Sequence, residues 1–299
     1  MRYNFSIQQY LYLLKKIMSL IKKTFRIIPK LDIKNGLLVK GINLEGLRVL
    51  GLPSNFSKKY YLDNADEIIY LDAVASNYGT NSLNKFVTET AKNLFIPLIV
   101  GGGIRSLAEI QRILESGADK ICINSAAIEN ISIIKDASKK YGSSTIISII
   151  ETVKIDNDYF IAKSNGRDLS KINPIDWAKK LEDNGAGEIL LTSVNNEGLQ
   201  KGFDLDLIAK ISKKACIPVI ANGGAGNFND IYKLAKNTNA DGVAISSLFH
   251  YSTYKLFPMI KTTIGNLEFL KSKNSYKMNK NIIKDLKKFL IKKKINIRP

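Results

Sequence analysis

Short apolar runs rich in β-branched residues alternate with amphipathic helical stretches from residue 26 onward. The pattern predicts eight strands, at Arg26–Asp32, Glu67–Asp72, Leu98–Val100, Lys120–Asn124, Thr145–Glu151, Glu188–Thr192, Val219–Ala221 and Gly242–Ser246. It predicts helices at Leu107–Ser116, Ile131–Tyr141, Pro174–Asn184, Leu205–Lys214 and Asn229–Lys236. Because parallel strands need crossover connections of about a dozen residues, this alternation favours an α/β fold of the (β/α)8 TIM-barrel type. A doubly wound parallel sheet is the alternative.

The two halves of the chain resemble each other. The run GGIRSLAEIQRILESGADKICINS (Gly102–Ser125) aligns with GGAGNFNDIYKLAKNTNADGVAISS (Gly223–Ser247) with one insertion. Likewise, NADEIIYLDAVAS (Asn64–Ser76) aligns with GAGEILLTSVNNE (Gly185–Glu197). An offset of about half a barrel indicates that a half-barrel was duplicated, which argues against the doubly wound sheet. Functional sites are therefore expected in pairs.

Two segments fall outside the regular alternation. Residues 1–24 form a basic amphipathic extension, interpreted as a docking helix, a membrane-surface helix or a consequence of start-site choice. Residues 25–299 form the barrel domain, in which 251–279 read as a polar, irregular insertion before a final Lys-rich helix at 280–293. Neither segment carries recognisable chemistry.

Composition fits a soluble globular protein of 299 residues, 45% hydrophobic and 24% charged. No apolar run reaches the roughly 18 residues of a membrane span, so we expect no transmembrane segment and a cytoplasmic location. Cys122 and Cys216 each lie in an apolar run and are expected to be buried, reduced thiols. With His250 as the single histidine and no Cys/His cluster, we expect no metal site.

The net charge of +18 raises a nucleic-acid hypothesis. The basic residues concentrate near the two ends, at 15–23 and 271–294, and no basic motif is interleaved with aromatic residues. Solvated lysines that attract anionic small molecules are therefore favoured, and no nucleic-acid partner is expected. A non-catalytic basic scaffold that binds nucleic acid or membrane through its ends remains the hypothesis from another class.

Glycine-rich turns follow apolar strands in both halves of the repeat. Glycine lets the backbone approach a phosphate closely, and free N–H groups at a helix start attract anions. We therefore predict two phosphate sites, one formed by Gly102, Gly103, Asn124 and Ser125, the other by Gly198, Gly223, Gly224, Ser246 and Ser247. Two such sites on opposite sides of a barrel mouth imply one long bisphosphorylated substrate.

Carboxylates end the first and fifth predicted strands, at positions that the duplication relates. Asp32 and Glu151 each follow an apolar run, where poor solvation predicts a raised pKa. A facing pair is suited to act as general acid and general base. Lys40 is predicted to hold a phosphate or to position a flexible loop at 41–53, and Thr192 is a further candidate for contact with substrate or loop.

These segments resemble the cyclase subunit of imidazole glycerol phosphate synthase across residues 25–250. The resemblance is carried by RIIPKLDIKNGLLVKG, DEIIYLDAVAS, IVGGGIRS, GADKICINSAA, GAGEILLTSV, IANGGAG and SSLFH. It implies a heterodimer with a glutaminase subunit that supplies ammonia through the barrel, and no cofactor. Ammonia would attack a phosphoribulosyl formimino carboxamide ribotide, and ring closure and cleavage would give imidazole glycerol phosphate and an aminoimidazole carboxamide ribotide.

The resemblance also assigns roles to single residues. Asp32 matches the family's acid/base aspartate, and Glu151 stands where the family has its second catalytic aspartate. Gly103, Asn124 and Ser125 match one phosphate site of the family, and Gly198, Gly224 and Ser246 match the other. A charged ring where ammonia enters the barrel floor is matched by Arg26, Glu67, Lys120 and Glu188.

Several departures keep a second interpretation open. Glu151 is one methylene longer than aspartate, Asn195 and Glu197 differ from the family's acidic residues, and the loop GLRVLGLP is hydrophobic where the family has an acidic residue. These features, with the 251–279 insertion, are similar to paralogues encoded with surface-polysaccharide genes. Such paralogues supply ammonia to a separate amidotransferase that places an acetamidino group on a sugar. The cyclase interpretation is favoured because Asp32, Lys40 and both phosphate sites are present.

Overall fold

The computed structural model describes residues 23–73, 75, 83–163, 166–258 and 278–299. One sheet in this part of the chain contains twelve strands: β1 Arg26–Lys34, β2 Leu37–Ile42, β3 Glu45–Gly51, β4 Ile68–Asp72, β5 Leu98–Gly101, β6 Lys120–Ile123, β7 Ile146–Ile155, β8 Asp158–Lys163, β9 Asp168–Ser170, β10 Glu188–Ser193, β11 Val219–Asn222 and β12 Gly242–Ile245.

Ten α-helices lie within the described ranges. They are α1 Pro53–Leu62, α2 Asn84–Ala91, α3 Leu107–Glu115, α4 Ser125–Glu129, α5 Ser132–Tyr141, α6 Pro174–Asp183, α7 Leu205–Lys214, α8 Phe228–Asn237, α9 Ser247–Thr253 and α10 Ile282–Lys292. The five helices expected between strands are confirmed within one or two residues at each end, as is the final Lys-rich helix. Side-chain caps fix several helix starts; Asn227 and Asp230, for example, form a reciprocal capping box at α8.

Eight of the strands close into a parallel barrel, which confirms the predicted fold. The order of paired strands is β10, β11, β12, β1, β4, β5, β6 and β7, and β10 also pairs with β7. At the closing pair, Thr192 lies opposite Glu151 and Glu188 lies opposite Ile147. All eight predicted strands are present, and closure leaves the barrel without a free edge.

Alternation along each strand divides the buried side chains into two cores. A large core lies between the strands and the surrounding helices. A smaller core fills the barrel and contains Ile28, Ile69, Ile99, Cys122, Ile147, Ile149, Leu190, Ile220 and Ala244. Because side chains two residues apart share a face of a strand, Arg26, Lys30 and Asp32 share the inner face with Ile28. We call this smaller core the apolar plug. A single strand therefore places charged groups at both ends of the plug.

Two antiparallel additions to the barrel were not predicted from the sequence. β2 and β3 extend from β1, and β8 and β9 extend from β7. The prediction that 41–53 form a loop was wrong, because most of that segment lies in β2 and β3. Asn35 and Gly36, with φ of 50° and 74°, form the two-residue turn that joins β1 to β2. Such an Asn-Gly pair is typical of a tight hairpin.

Other expectations meet the structure in part. Cys122 is buried in the barrel, but the expectation that Cys216 is buried was wrong, because it is exposed just before β11. The segment expected to be irregular from residue 251 begins inside α9 and continues into a 3-10 turn at Tyr254–Leu256. Residues 1–22 of the predicted extension and 259–277 of the predicted insertion lie outside the described residues. None of the described helices is long and apolar enough to cross a membrane.

Candidate active site

A deep cleft opens where the barrel strands end. It encloses about 910 Å³ of empty space, including its open mouth. Its wall combines the predicted residues of the first phosphate site with both predicted catalytic carboxylates and two further candidates: Gly102, Gly103, Asn124, Ser125, Asp32, Glu151, Lys40 and Thr192. Lys30, Asp72 and Arg105 also line it and were not predicted as site residues. Parallel barrels commonly carry their active sites at this end.

A second, smaller pocket contains the residues of the other predicted phosphate site. It encloses about 220 Å³ and is lined by residues that include Gly198, Gly223, Gly224, Ser246 and Ser247. The loops after β10, β11 and β12 build this pocket, whereas the loops after β4, β5 and β6 contribute to the cleft. β1 and β7, which carry Asp32 and Glu151, lie between these two groups of strands. The duplication therefore appears in three dimensions as two concave surfaces separated by two carboxylate-bearing strands.

Glycine is required at both turns. A Cβ at Gly102, where φ is 97°, would lie 2.5 Å from the Asp72 carbonyl oxygen. A Cβ at Gly224, where φ is 116°, would lie 2.0 Å from the Gly202 carbonyl oxygen. At both positions the backbone has a positive φ that disfavours any side chain, and a second backbone segment leaves no room for a Cβ atom. The turns are thereby kept narrow, with their backbone close to the pocket.

Polar atoms without a protein partner lie in each pocket. Asn124 Oδ1 is buried in the cleft and Ser247 Oγ is buried in the second pocket, and neither has a hydrogen-bond partner among the described residues. An unpaired buried polar atom costs about 1–3 kcal/mol, so a bound ligand that reaches it is favoured. Ser246 differs, because its hydroxyl donates to the Lys30 carbonyl oxygen at 2.8 Å.

Two lysines and two carboxylates form a buried charge cluster beside the cleft. Lys30 Nζ donates to Asp32 Oδ1 at 2.7 Å and lies 3.9 Å from Glu197 Oε1. Lys40 Nζ lies 3.6 Å from Asp32 Oδ2 and donates to Glu197 Oε1 in a short hydrogen bond. The four side chains, from β1, β2 and the loop after β10, are each exposed by 10% or less. We refer to these four residues as the charge cluster.

The charge cluster determines the ionisation of Asp32. Burial by itself raises the pKa of this carboxyl, but the positive charges of Lys30 and Lys40 outweigh burial and hold the pKa below its usual value. The prediction of a raised pKa at Asp32 was wrong, because the sequence pattern showed the apolar surroundings and missed the two ammonium groups. Asp32 is therefore an anion at neutral pH.

Glu151 has the opposite environment. Burial raises its pKa to about 7, and the negative charge of Asp32 acts in the same direction, against the positive charge of Lys30. Its Oε2 atom is buried and has no hydrogen-bond partner among the described residues. Glu151 is therefore half-protonated near neutral pH, as a general acid or base must be to gain and lose protons readily. The predicted raised pKa is confirmed at this position.

The single histidine, His250 on α9, hydrogen-bonds the backbone of β1. His250 Nε2 lies 3.0 Å from the Lys30 carbonyl oxygen, which can only accept, so Nε2 donates. Nδ1 then accepts from the Tyr60 hydroxyl at 2.7 Å. Burial, and then the charge of Lys40, lower the pKa of His250 to about 3, so the ring is neutral.

No group of three or more His, Cys, Asp or Glu side chains in the described ranges could hold a metal ion.

Three residues singled out from the sequence have local roles in the structure. Lys40 was predicted to hold a phosphate or to position a loop. Its ammonium group is instead buried in ion pairs with Glu197 and Asp32. Thr192 accepts a hydrogen bond from Asn222 in the cleft wall at 3.0 Å. Asn195 Oδ1 accepts from the Lys154 backbone N–H on β7 at 2.7 Å, and Asn195 Nδ2 donates to the Lys154 carbonyl oxygen at 3.1 Å. This side chain therefore stabilises the loop after β10.

At the opposite end of the barrel, four charged side chains form a closed ring. Arg26 lies 2.7 Å from Glu67 and 2.5 Å from Glu188. Lys120 lies 3.3 Å from Glu67 and 3.4 Å from Glu188. We call these four residues the floor ring. The ring spans the floor, and the apolar plug of the barrel separates it from the charge cluster.

Comparisons with known proteins agree with this architecture. A family model described as "Histidine biosynthesis protein" matches residues 26–255. Three similar relatives carry the name "Imidazole glycerol phosphate synthase subunit HisF". The Legionella pneumophila protein is 46% identical over 69% of this chain and 97% of its own length. The Lactococcus lactis protein is 44% identical over 76% and 89%, and the Sulfolobus acidocaldarius protein is 41% identical over 79% and 94%.

The unpaired Ser247 hydroxyl leads to a test of anion binding. Ser247→Ala is expected to weaken phosphate binding in the second pocket about tenfold, because a hydrogen bond to a charged group is worth about 1.5 kcal/mol or more. Titration calorimetry with inorganic phosphate, and crystals grown in phosphate, would measure the affinity and the position. Ser252→Ala, which removes a hydroxyl bonded to Leu248 on the same helix, is the control. Equal phosphate affinity in both variants would contradict the assignment.

Proposed function

This chain belongs to the family of imidazole glycerol phosphate synthase subunits named HisF, within the histidine biosynthesis proteins, and on that premise we propose that it is the cyclase subunit of that enzyme. In this role it takes ammonia from a glutaminase subunit and uses it to convert phosphoribulosyl formimino carboxamide ribotide. The products are imidazole glycerol phosphate and an aminoimidazole carboxamide ribotide. The observation that carries the proposal is the pair of glycine-lined pockets on either side of two carboxylate-bearing strands, which we propose as two anion pockets.

The pockets support a substrate with a phosphate at each end. One phosphate would lie at Gly102, Gly103, Asn124 and Ser125, and the other at Gly198, Gly223, Gly224, Ser246 and Ser247. Binding both ends fixes the reacting centre between them, and such positioning contributes a large part of many rate enhancements. The net charge of +18 also favours the approach of a doubly phosphorylated molecule.

The two carboxylates would serve the reacting centre in different ways. Glu151, with a pKa of about 7, is suited to exchange a proton with the substrate at neutral pH. Asp32, as a buried anion, is suited to stabilise positive charge that develops when ammonia adds to the substrate. Glu151 replaces the shorter aspartate that the family resemblance places there, and its unpaired Oε2 leaves it free to meet a substrate atom.

Ammonia would enter at the floor ring and cross the barrel to the cleft. Arg26, Glu67, Lys120 and Glu188 close the floor through four ion pairs, so passage requires one of these pairs to open. Beyond them lies the apolar interior, in which Cys122 borders the cleft and Ala244 borders the second pocket. Such an interior admits neutral ammonia and disfavours ammonium, because an ion pays a large desolvation cost there.

The catalytic assignment is tested with ammonium salt in place of the glutaminase. Glu151→Gln and Asp32→Asn are each expected to lower ribotide turnover by about 10²–10⁴, the usual contribution of acid–base or charge stabilisation. The turnover rate is measured as product formation, by absorbance or mass spectrometry. Asp158→Asn changes an exposed carboxyl on β8 and serves as the control. Normal turnover in Glu151→Gln would contradict the proposed proton-exchange role of Glu151.

A second candidate function is supported by one observation. Both Asp32 oxygens face ammonium groups, so this carboxylate is already engaged before any substrate binds. That environment suits a barrel that conducts ammonia to a separate amidotransferase for acetamidino-sugar synthesis and no longer closes an imidazole ring. In that case the wild-type protein would activate a glutaminase without converting the ribotide. Turnover of the ribotide with ammonium salt would exclude this candidate.

The floor ring leads to a separate expectation. Lys120→Glu places a third carboxylate between Glu67 and Glu188, so repulsion disrupts the ring and the surface around it. Glutamine-dependent turnover is expected to fall about tenfold or more, a loss of about 1.4 kcal/mol, while ammonium-driven turnover is retained. Paired assays with the two nitrogen sources measure this. Lys171→Glu reverses an exposed charge just before α6 and is the control. Equal effects on both assays would argue against the floor as the ammonia entrance.

A further inference from the structure

Lys30 is a buried charged residue on the inner face of β1, two residues after Ile28 of the apolar barrel core. Its ammonium group lies 2.7 Å from Asp32 Oδ1 and 3.9 Å from Glu197 Oε1, and its side chain is 3% exposed. It lies on the inner face of β1 and lines the same cleft as Glu151. A buried lysine is stable in its charged form only when carboxylates neutralise it, so its contacts define where charge is held at the mouth.

The backbone of Lys30 is anchored from the neighbouring helix. Its carbonyl oxygen accepts hydrogen bonds from Ser246 Oγ at 2.8 Å and His250 Nε2 at 3.0 Å. These two donors come from the end of β12 and from α9, which fixes the position of β1 relative to the second anion pocket. The backbone of Lys30 is therefore held in place, which directs its side chain toward Asp32.

The charges that face the two carboxylates come from several elements. Lys30, Lys40, Asp32 and Glu197 carry two positive and two negative charges, so the charge cluster is neutral in total. His250 from α9 is neutral, and the side chain of Asn124, directly after β6, hydrogen-bonds Glu151 and lowers its pKa. Asp72 and Arg105 line the outer wall of the cleft. Ionisation of Glu151 adds one negative charge to a buried region that is already balanced.

From this geometry we propose that Lys30 is a positioning residue that gives the two carboxylates different roles, holding Asp32 as a fixed anion and leaving Glu151 as the proton-exchanging group. The catalytic part of this inference rests on the proposed function, but the electrostatic part does not. Lys30 need not touch the substrate for this role. It acts through its ion pair with Asp32 and through its charge on Glu151.

The position equivalent to Lys30 in the second half-barrel supports the inference. Asp32 lies on the inner face of β1, and Lys30 precedes it by two residues. Glu151 occupies the related position on β7, and Ile149 precedes it by two residues in the apolar core of the barrel. One half of the duplicated fold thus places an ammonium below its carboxylate, and the other half places a hydrocarbon there. The two carboxylates differ because of what lies beneath them.

Carboxyl NMR titration of the full-length protein tests the inference directly. In the wild type, Asp32 is expected to stay ionised throughout the pH range in which Glu151 titrates. In Lys30→Met, the Glu151 midpoint is expected to move to higher pH by about one unit or more, as loss of a nearby opposite charge produces. Asp32 is expected to titrate at higher pH as well. Glu151→Gln and Asp32→Asn assign the two signals.

Two further variants keep the test decisive. Lys34→Met removes a positive charge near the end of the same strand and is expected to leave both midpoints unchanged. Loss of a buried ion pair can prevent Lys30→Met from folding. Lys30→Gln keeps a hydrogen-bond donor toward Asp32 without the charge and answers the question in that case. Unchanged midpoints in both Lys30 variants would overturn the proposal. A wild-type Asp32 that titrates together with Glu151 would overturn it even if neither variant folds.

The pH dependence of ammonium-driven turnover separates this proposal from the proposed function. If the chain is a cyclase, the limb of the profile that reports Glu151 moves to higher pH in Lys30→Met, in parallel with the NMR midpoint. A limb that stays in place while the NMR midpoint moves would refute the proton-exchange role of Glu151 and leave cyclase activity intact. Absence of turnover in the wild type would refute the cyclase function, while the NMR titration would still decide the role of Lys30.

Discussion

Buried charges at the barrel mouth are tolerated only because they neutralise one another. Moving an ion out of water costs several kcal/mol, and Lys30, Asp32, Lys40 and Glu197 avoid that cost through close ion pairs. These residues come from β1, β2 and the loop after β10, so the requirement for neutrality holds three elements in one arrangement. The wall of the cleft, the ionisation of Asp32 and the environment of Glu151 all depend on that arrangement.

Duplication explains why the sites are paired, and local substitution explains why the pairs are unequal. Glycine turns recur in both halves, and each half places a carboxylate in the wall of the cleft, Asp32 from β1 and Glu151 from β7. Lys30 in the first half and Ile149 in the second separate the two carboxylates chemically, so the pKa of Asp32 is lowered and that of Glu151 is raised to about 7. A symmetric scaffold thereby supplies one permanent anion and one group able to exchange protons. Asymmetric chemistry on one substrate requires such a difference.

Sequence patterns predicted the barrel because strand and helix periodicities are local properties, and the internal repeat fixed the topology. They predicted the glycine turns because these follow the ends of apolar strands, and the family resemblance supplied the four residues of the floor ring. The hairpin after β1 was missed, although Asn35-Gly36 is a recognisable turn signal. The charge cluster was missed because it joins Lys30 and Glu197 across 167 positions of sequence, and only the closed barrel brings them within 3.9 Å. The same missing contact explains the incorrect pKa expectation at Asp32.

The central claim is that one bisphosphorylated ribotide spans both anion pockets with its reacting centre between Asp32 and Glu151. The most direct measurement is a crystal structure of the Glu151→Gln protein with the ribotide bound. We expect one phosphate at Gly102 and Asn124, the other at Gly224 and Ser247, and the reacting carbons between β1 and β7. A ribotide held by one phosphate alone, with its reacting centre outside the cleft, would contradict the account.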